Sequence, residues 1–124
     1  MDFRDNQAIY IQIGEYICEK ILLKKWKIGE RLISIRDLAV ELQVNPLTVQ
    51  RAYDFLQQRD IISNKRGIGY FIETAADEKI LKFRKEQFLE NELPVFLRTI
   101  YLLKIDISEI KTRFDQFVKA NFKK

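Results

Sequence analysis

The chain has 124 residues, 22 Lys and Arg against 18 Asp and Glu, a net charge of +4, one Cys and no His, a size that fits one small domain with an appendage. Without histidine the usual general base and metal ligand is missing, and the single Cys18 makes neither an intramolecular disulfide nor a Cys-rich zinc site; catalysis, metals and cofactors are not expected, and Cys18 reads as a buried thiol. The charged start MDFRDNQ lacks a signal-peptide core and no run approaches the ~18 apolar residues of a membrane span, so a cytoplasmic protein without membrane contact is expected.

Residues 8 to 25 place Tyr10, Ile13, Ile17 and Ile21 on one helical stripe, interrupted by Gly14, which costs helix stability and so points to a close packing contact. Trp26 reads as a core anchor before the turn at Gly29. Ser34 with Asp37 approximates a capping box for a second helix, whose inner face is Ile35, Leu38, Ala39 and Leu42. Asn45-Pro46 supplies a cap followed by proline at the first helical position, and the third helix turns Val49, Ala52, Tyr53 and Leu56 inward. Two short helices joined by a tight turn form a helix-turn-helix candidate.

Ile61-Ile62-Ser63 and Gly69-Tyr70-Phe71-Ile72 are short β-prone runs around an expected turn at Asn64-Lys65-Arg66-Gly67. Thr74 with Asp77 repeats the capping pattern and predicts a helix through about Glu92. Pro94 ends or resets it, a second segment runs to about Lys104, and Ser108 begins the last helix. The fold expected is mainly α with a small β-hairpin, an N-terminal winged helix-turn-helix over 1–74 followed by a short α-helical dimerisation region over 75–124.

Net charge says less about function than its placement. Residues 1–74 hold 11 basic and 10 acidic residues, whereas 43–53 carry Arg51 as their only charge and 61–72 only Lys65 and Arg66. An exposed, acid-free helix start suits phosphate through its partial positive charge and backbone N–H groups. Asn45, Pro46, Leu47, Thr48, Gln50 and Arg51 occupy that start; Gln50 and Asn45 can pair with adenine, Arg51 with guanine or phosphate, and Thr48 with either. Arg36 lies where it can reach base edges or backbone. In the wing, Lys65 and Arg66 can enter a minor groove while Gly67 and Gly69 clear the approach. Arg36 has rival partners in Glu30 and Glu41, Arg51 in Asp37 and Asp54.

The run IYIQI (9–13), IGERLISIRDLAVELQVNPLTVQRAYDFL (28–56) and IISNKRGIGYF (61–71) resembles the GntR family of bacterial transcription regulators. The resemblance implies operator contacts for Arg36, Thr48, Gln50, Arg51, Arg66 and Gly69. Ile33 stands where the family usually has Pro, Ala8 where Pro often precedes Ile-Tyr, and Gln43 and Asp60 where Gly is usual. Gln43 or Asp60 is therefore expected to hold a positive φ without being glycine.

The brevity of the last fifty residues is similar to the YtrA-like subfamily. From Val95 to Ile105, eight of eleven residues are apolar, and the last helix adds Ile110, Phe114, Phe117 and Val118. Helices so apolar require cover, and a second copy is the economical source. Phe96, Ile100, Tyr101, Leu103, Ile110, Phe114 and Phe117 are the interface candidates of a homodimer. The aromatics Phe83, Phe88, Phe96 and Tyr101 leave open a site for a small-molecule effector of unknown identity. The function expected is a homodimeric, sequence-specific regulator, in the first instance a repressor, on a palindromic double-stranded DNA operator. The alternative is a winged helix serving replication or protein contacts.

Overall fold

The computed structural model describes Phe3 and residues 7–122. Its elements are α1 (Ile9–Leu22), α2 (Ile35–Leu42), α3 (Pro46–Gln58), β1 (Ile62–Lys65), β2 (Gly69–Ile72), α4 (Ala76–Gln87), a π-helical turn (Phe88–Glu92), α5 (Leu93–Leu102) and α6 (Ile107–Asn121). This is the expected mainly helical architecture with one antiparallel hairpin. The chain divides into two compact units, one ending at Phe83 and the other starting at Arg84.

The first unit is built on the apolar spacing of its helices. Ile13, Ile17, Cys18 and Ile21 of α1, Leu38 and Ala39 of α2, and Val49, Ala52, Tyr53 and Leu56 of α3 all lie in one buried cluster. Gly14 has the packing role its position suggests, because a Cβ there would sit 3.2 Å from Cδ1 of Phe55 on α3. Trp26 is half-buried and edge-on to Tyr16, with ring centroids 6.1 Å apart. Ala76 and Ile80 join the same core, so the packed unit continues past Thr74 into α4.

The caps are local and follow the sequence closely. Ser34 Oγ accepts from Asp37 N at 3.1 Å, and Asn45 Oδ1 accepts from Leu47 N at 2.8 Å. Two expected starts differ. The helix expected from Thr74 begins at Ala76, because Glu73 N is bonded to Ile61 O and keeps the chain on the hairpin for longer. The last helix is capped by Asp106, whose Oδ1 accepts from Ser108 N at 3.1 Å, rather than by Ser108. Asp is as strong a cap as Ser, and it is the first residue free to act once α5 has turned.

Helix ends share one device. Lys24, Gln43, Asp60 and Lys104 all take positive φ, between 56° and 61°. At Gln43 the pattern is a Schellman motif: Gln43 N donates to Val40 O and Val44 N to Ala39 O, at 3.3 and 3.0 Å. The same pair of bonds recurs at Asp60 and Ile61, closing on Gln57 and Leu56, and at Lys104 and Ile105, closing on Tyr101 and Ile100. Both departures from glycine thus carry the positive φ expected of them. A left-handed non-glycine costs about 1 kcal/mol, partly offset by glycine's greater freedom when unfolded, so Gln43→Gly is expected to stabilise the protein by about 0.5 kcal/mol. Thermal unfolding checks this, with a rise in Tm of roughly 2–4 °C expected.

The hairpin pairs Ile62 with Ile72 through Lys65 with Gly69, so β1 includes Asn64 and Lys65 and the turn is Arg66-Gly67-Ile68, shorter and later than expected. Gly67 holds φ +80° there. The free edge of β2 is covered by residues 29–32: Gly29 N bonds to Ile72 O, Ile72 N to Glu30 O, and Leu32 N to Tyr70 O. Gly29-Glu30-Arg31 has no alternation of apolar and polar residues, so residue order does not mark this third extended segment.

In the second unit, Pro94 resets the helix as expected. Its missing N–H and its ring exclude a regular turn before it, and the chain widens so that Leu93 N bonds to Phe88 O, five residues back. Pro94 then occupies the first turn of α5, where it is tolerated.

Candidate nucleic-acid interface

The turn between α2 and α3 delivers the exposed start of α3. Pro46 and Leu47 stand in solvent there, Leu47 at 72% exposure. The expected cradle of free backbone N–H groups is largely closed. Pro46 has none, Leu47 N is held by Asn45 Oδ1, and Thr48 N bonds to Asn45 O at 2.9 Å. Asn45 Oδ1 accepts from Leu47 N as the cap, which leaves its N–H2 group and the second lone pair of that oxygen for another partner. What the helix start offers an anion is its dipole and its flanking side chains.

Arg36 is exposed near the start of α2, and among the described residues it forms no ion pair with Glu30 or Glu41. Arg51 is not paired with Asp54 or Asp37 either. Its guanidinium carbon lies 4.2 Å from the ring centroid of Tyr10 on α1, a cation–π contact that fixes direction and leaves the charge uncancelled. Asp54 is taken instead by Gln50, whose Nε2 donates to Asp54 Oδ1 at 3.0 Å and to the Tyr70 hydroxyl at 3.3 Å. The second of these bonds ties α3 to β2, so helix and hairpin present one continuous face. Thr48 is half-buried beside them.

Behind that face Tyr53 is core, as its spacing indicates: it is fully buried and its hydroxyl donates to Ile33 O. Ile33, standing in place of the family's Pro, contributes the accepting carbonyl. Burial, and secondarily the neighbouring Tyr70, pushes the Tyr53 phenol well above its ordinary pKa, so it remains a neutral donor.

On the hairpin, Lys65 and Arg66 are exposed, with Lys65 Nζ 4.3 Å from the Phe71 ring centroid. Gly69 holds φ +141°, and a Cβ there would come within 2.8 Å of Arg31 Nε. The missing side chain lets the Arg31 guanidinium lie against the wing backbone. Arg31 and the exposed Ile68 at the turn belong to this face and were not singled out from sequence. Arg31 could have been found only by knowing that 29–32 pairs with β2.

In the second unit Phe96, Tyr101, Leu103, Phe114 and Phe117 are all exposed, Tyr101 at 82%. Ile110 is half-buried, whereas Ile100 is only 7% exposed within the single chain and has little surface left for a partner. Of the aromatics weighed for an effector, Phe83 belongs to the first unit, edge-on to Phe55 at 5.8 Å and 5.0 Å from the Arg59 guanidinium. Phe88, Phe96 and Tyr101 belong to the second and are exposed. A cleft of about 360 Å³ in the first unit is lined by Lys25, Trp26, Glu30, Arg31 and Glu41 among others, none from that set.

Three helices around one core, an exposed start on the third, and a glycine-bearing hairpin bonded to it define a winged helix-turn-helix DNA-binding protein. Residues 9–72 match the family described as bacterial regulatory proteins of the gntR family. The HTH-type transcriptional regulator YhcF of Bacillus subtilis is 30% identical over 118 residues, covering 95% of this chain and 96% of that protein. The HTH-type transcriptional repressor YtrA of the same organism is 35% identical over 82 residues, 66% of this chain and 63% of that one. A solved GntR-family regulator from Bacteroides thetaiotaomicron is 42% identical with a TM-score of 0.71, covering 91% of this chain and 98% of that one. The chain belongs to the GntR family, in its YtrA-like group. Members are transcription regulators that bind DNA operators, not enzymes. Among the described residues no helix is long and apolar enough to cross a membrane.

Proposed function

We propose that the protein is a cytoplasmic homodimeric repressor that binds a palindromic operator, reading it with α3 and clamping it with the hairpin. The observation that carries this reading is the joining of α3 to the hairpin, where Gln50 bonds across to Tyr70, together with Arg31, Arg51, Lys65 and Arg66, and Arg36 at the start of α2, none of which forms an ion pair among the described residues. Such a face meets phosphates with uncancelled charge and base edges with polar side chains. Repression follows from occupying a promoter, and the likeness to the repressor YtrA supports it.

The assembly rests on the second unit. Its exposed apolar side chains, Phe96, Tyr101, Leu103, Phe114 and Phe117 foremost, make a surface that water disfavours and a second copy can cover. On this reading the second unit, which starts at Arg84, serves dimerisation, a small-molecule effector is not required, and a twofold dimer meets half-sites about one helical turn or more apart.

Selection of bound fragments from random DNA, followed by a salt titration on the enriched site, tests the proposal. The expected result is an inverted repeat, with log affinity falling linearly in log salt at about −0.9 per neutralised phosphate. Lys65→Ala with Arg66→Ala is expected to reduce the slope by about 2. Recovery of no preferred sequence, or affinity indifferent to salt, overturns the reading and returns the winged helix to a role in replication or protein contacts.

A further inference from the structure

We propose that Asp54 and Tyr70 set the hydrogen-bonding polarity of Gln50, so that α3 offers the operator an acceptor at this position and selects a base that presents an exocyclic amine in the major groove, adenine or cytosine. The inference rests on the reading of α3 as the helix that meets base edges.

The side-chain amide of Gln50 has two N–H donors and one oxygen acceptor. Nε2 lies 3.0 Å from Asp54 Oδ1 and 3.3 Å from the Tyr70 hydroxyl. An ionised carboxylate only accepts, so the end of the amide that faces Asp54 has to be the nitrogen; chemistry, not placement of look-alike atoms, decides the orientation. Asp54 lies one turn along the same helix, four residues from Gln50. Tyr70 is anchored independently, edge-on to the buried Tyr53 at 5.0 Å and with its carbonyl bonded to Leu32 N. Both donors of Gln50 are therefore engaged by the protein. Its oxygen has no partner among the described residues, and none of their buried side-chain polar atoms lacks one, so that oxygen meets solvent.

A free glutamine pairs with adenine through two bonds, giving N–H to N7 and accepting from the N6 amine. With its donors held, Gln50 keeps only the accepting half. In the major groove adenine N6 and cytosine N4 donate, whereas guanine and thymine present oxygens that face the Gln50 oxygen with like polarity. The discrimination is then adenine or cytosine against guanine or thymine, with little preference between the first two. The sequence alone indicated adenine, because it did not show where the amide protons go.

The test starts from the operator that the wild-type protein selects. Gln50→Ala identifies the contacted base pair as the one whose preference collapses. At that pair the wild type is expected to bind the adenine and cytosine forms about tenfold or more tightly than the guanine and thymine forms, and within about threefold of each other. Asp54→Ala and Tyr70→Phe each release a donor, the first at an exposed position and the second with the ring still packed against Tyr53. Both are expected to raise the adenine-over-cytosine ratio about fivefold or more and to shrink the penalty for guanine and thymine. Circular dichroism and thermal melting confirm that each variant is folded. Base preferences unchanged in both variants overturn the inference, as does Gln50→Ala leaving every position as selective as before. An operator that still depends on Arg51 while Gln50 is silent leaves the α3 reading standing; a wild type that selects no sequence removes both.

Discussion

Phe114→Asp combined with Phe117→Asp is expected to give a folded monomer that sediments at half the mass of the wild-type protein and binds a full operator about a hundredfold or more weakly. Both rings are more than half exposed on α6, at 63% and 56%, so neither supports the fold of a single chain by burial. Phe117 does contact Phe122 edge-on, with centroids 5.8 Å apart, but that contact is itself at the surface. Two carboxylates at these positions would have to lose their hydration in any interface that covers them, and an unpaired buried charge is far more costly than a lost methyl group. Each protomer would still place one α3 in one half-site. What disappears is the second, tethered binding event, whose effective concentration is worth about 10²–10⁴ in affinity. Sedimentation at micromolar concentration and titration of full and half operators separate the two effects: full-site affinity should collapse while half-site affinity stays within about twofold. A wild-type protein that is already monomeric, or a variant that still dimerises, removes the second unit from the assembly.

Leu47→Glu is expected to act with opposite signs on stability and on DNA. Leu47 sits at the second position of α3, 72% exposed, with its N–H bonded to Asn45 Oδ1. A carboxylate in a first turn that holds no acid interacts favourably with the helix dipole, so thermal stability should rise by about 0.3–1 kcal/mol. At the same point of the proposed interface the carboxylate faces phosphate, where a like-charge encounter costs several kcal/mol. Operator affinity should fall by about two orders of magnitude or more, and the loss should shrink in high salt. Paired melting and binding measurements check this. A stabilised variant with undiminished affinity would move the DNA away from the start of α3, whereas loss of both would indicate misfolding.

The legible parts of this protein were those decided within a few residues. Ser34 and Asn45 cap their helices because a short polar side chain reaches the N–H two or three residues on, whatever lies beyond. The inward set Val49, Ala52, Tyr53 and Leu56 follows from helical spacing alone. Gln43 and Asp60 were marked by standing where glycine is usual, and both hold positive φ. Asp106 and Ser108 are comparable caps for the last helix, and only the path of the chain out of α5 selects Asp106. Nothing local announced the segment 29–32, which is extended because β2 offers it an unpaired edge.

The candidate site divides along the same line. Its composition, an acid-free helix start and hairpin with Arg36, Arg51, Lys65 and Arg66 beside them, is a property of the sequence, and so is the family to which the chain belongs. The commitments of individual groups were decided only when distant segments met. Arg51 found Tyr10 from α1 rather than an acid on its own helix, and Gln50 found Tyr70 from β2. Arg31 joined the face because Gly69 has no side chain to exclude it. Helix spacing and capping depend on backbone geometry that repeats every few residues, so residue order suffices to specify them. A donor or a charge is satisfied by whichever group the fold brings within about 3–4 Å, and which group that is depends on contacts between residues far apart in the chain.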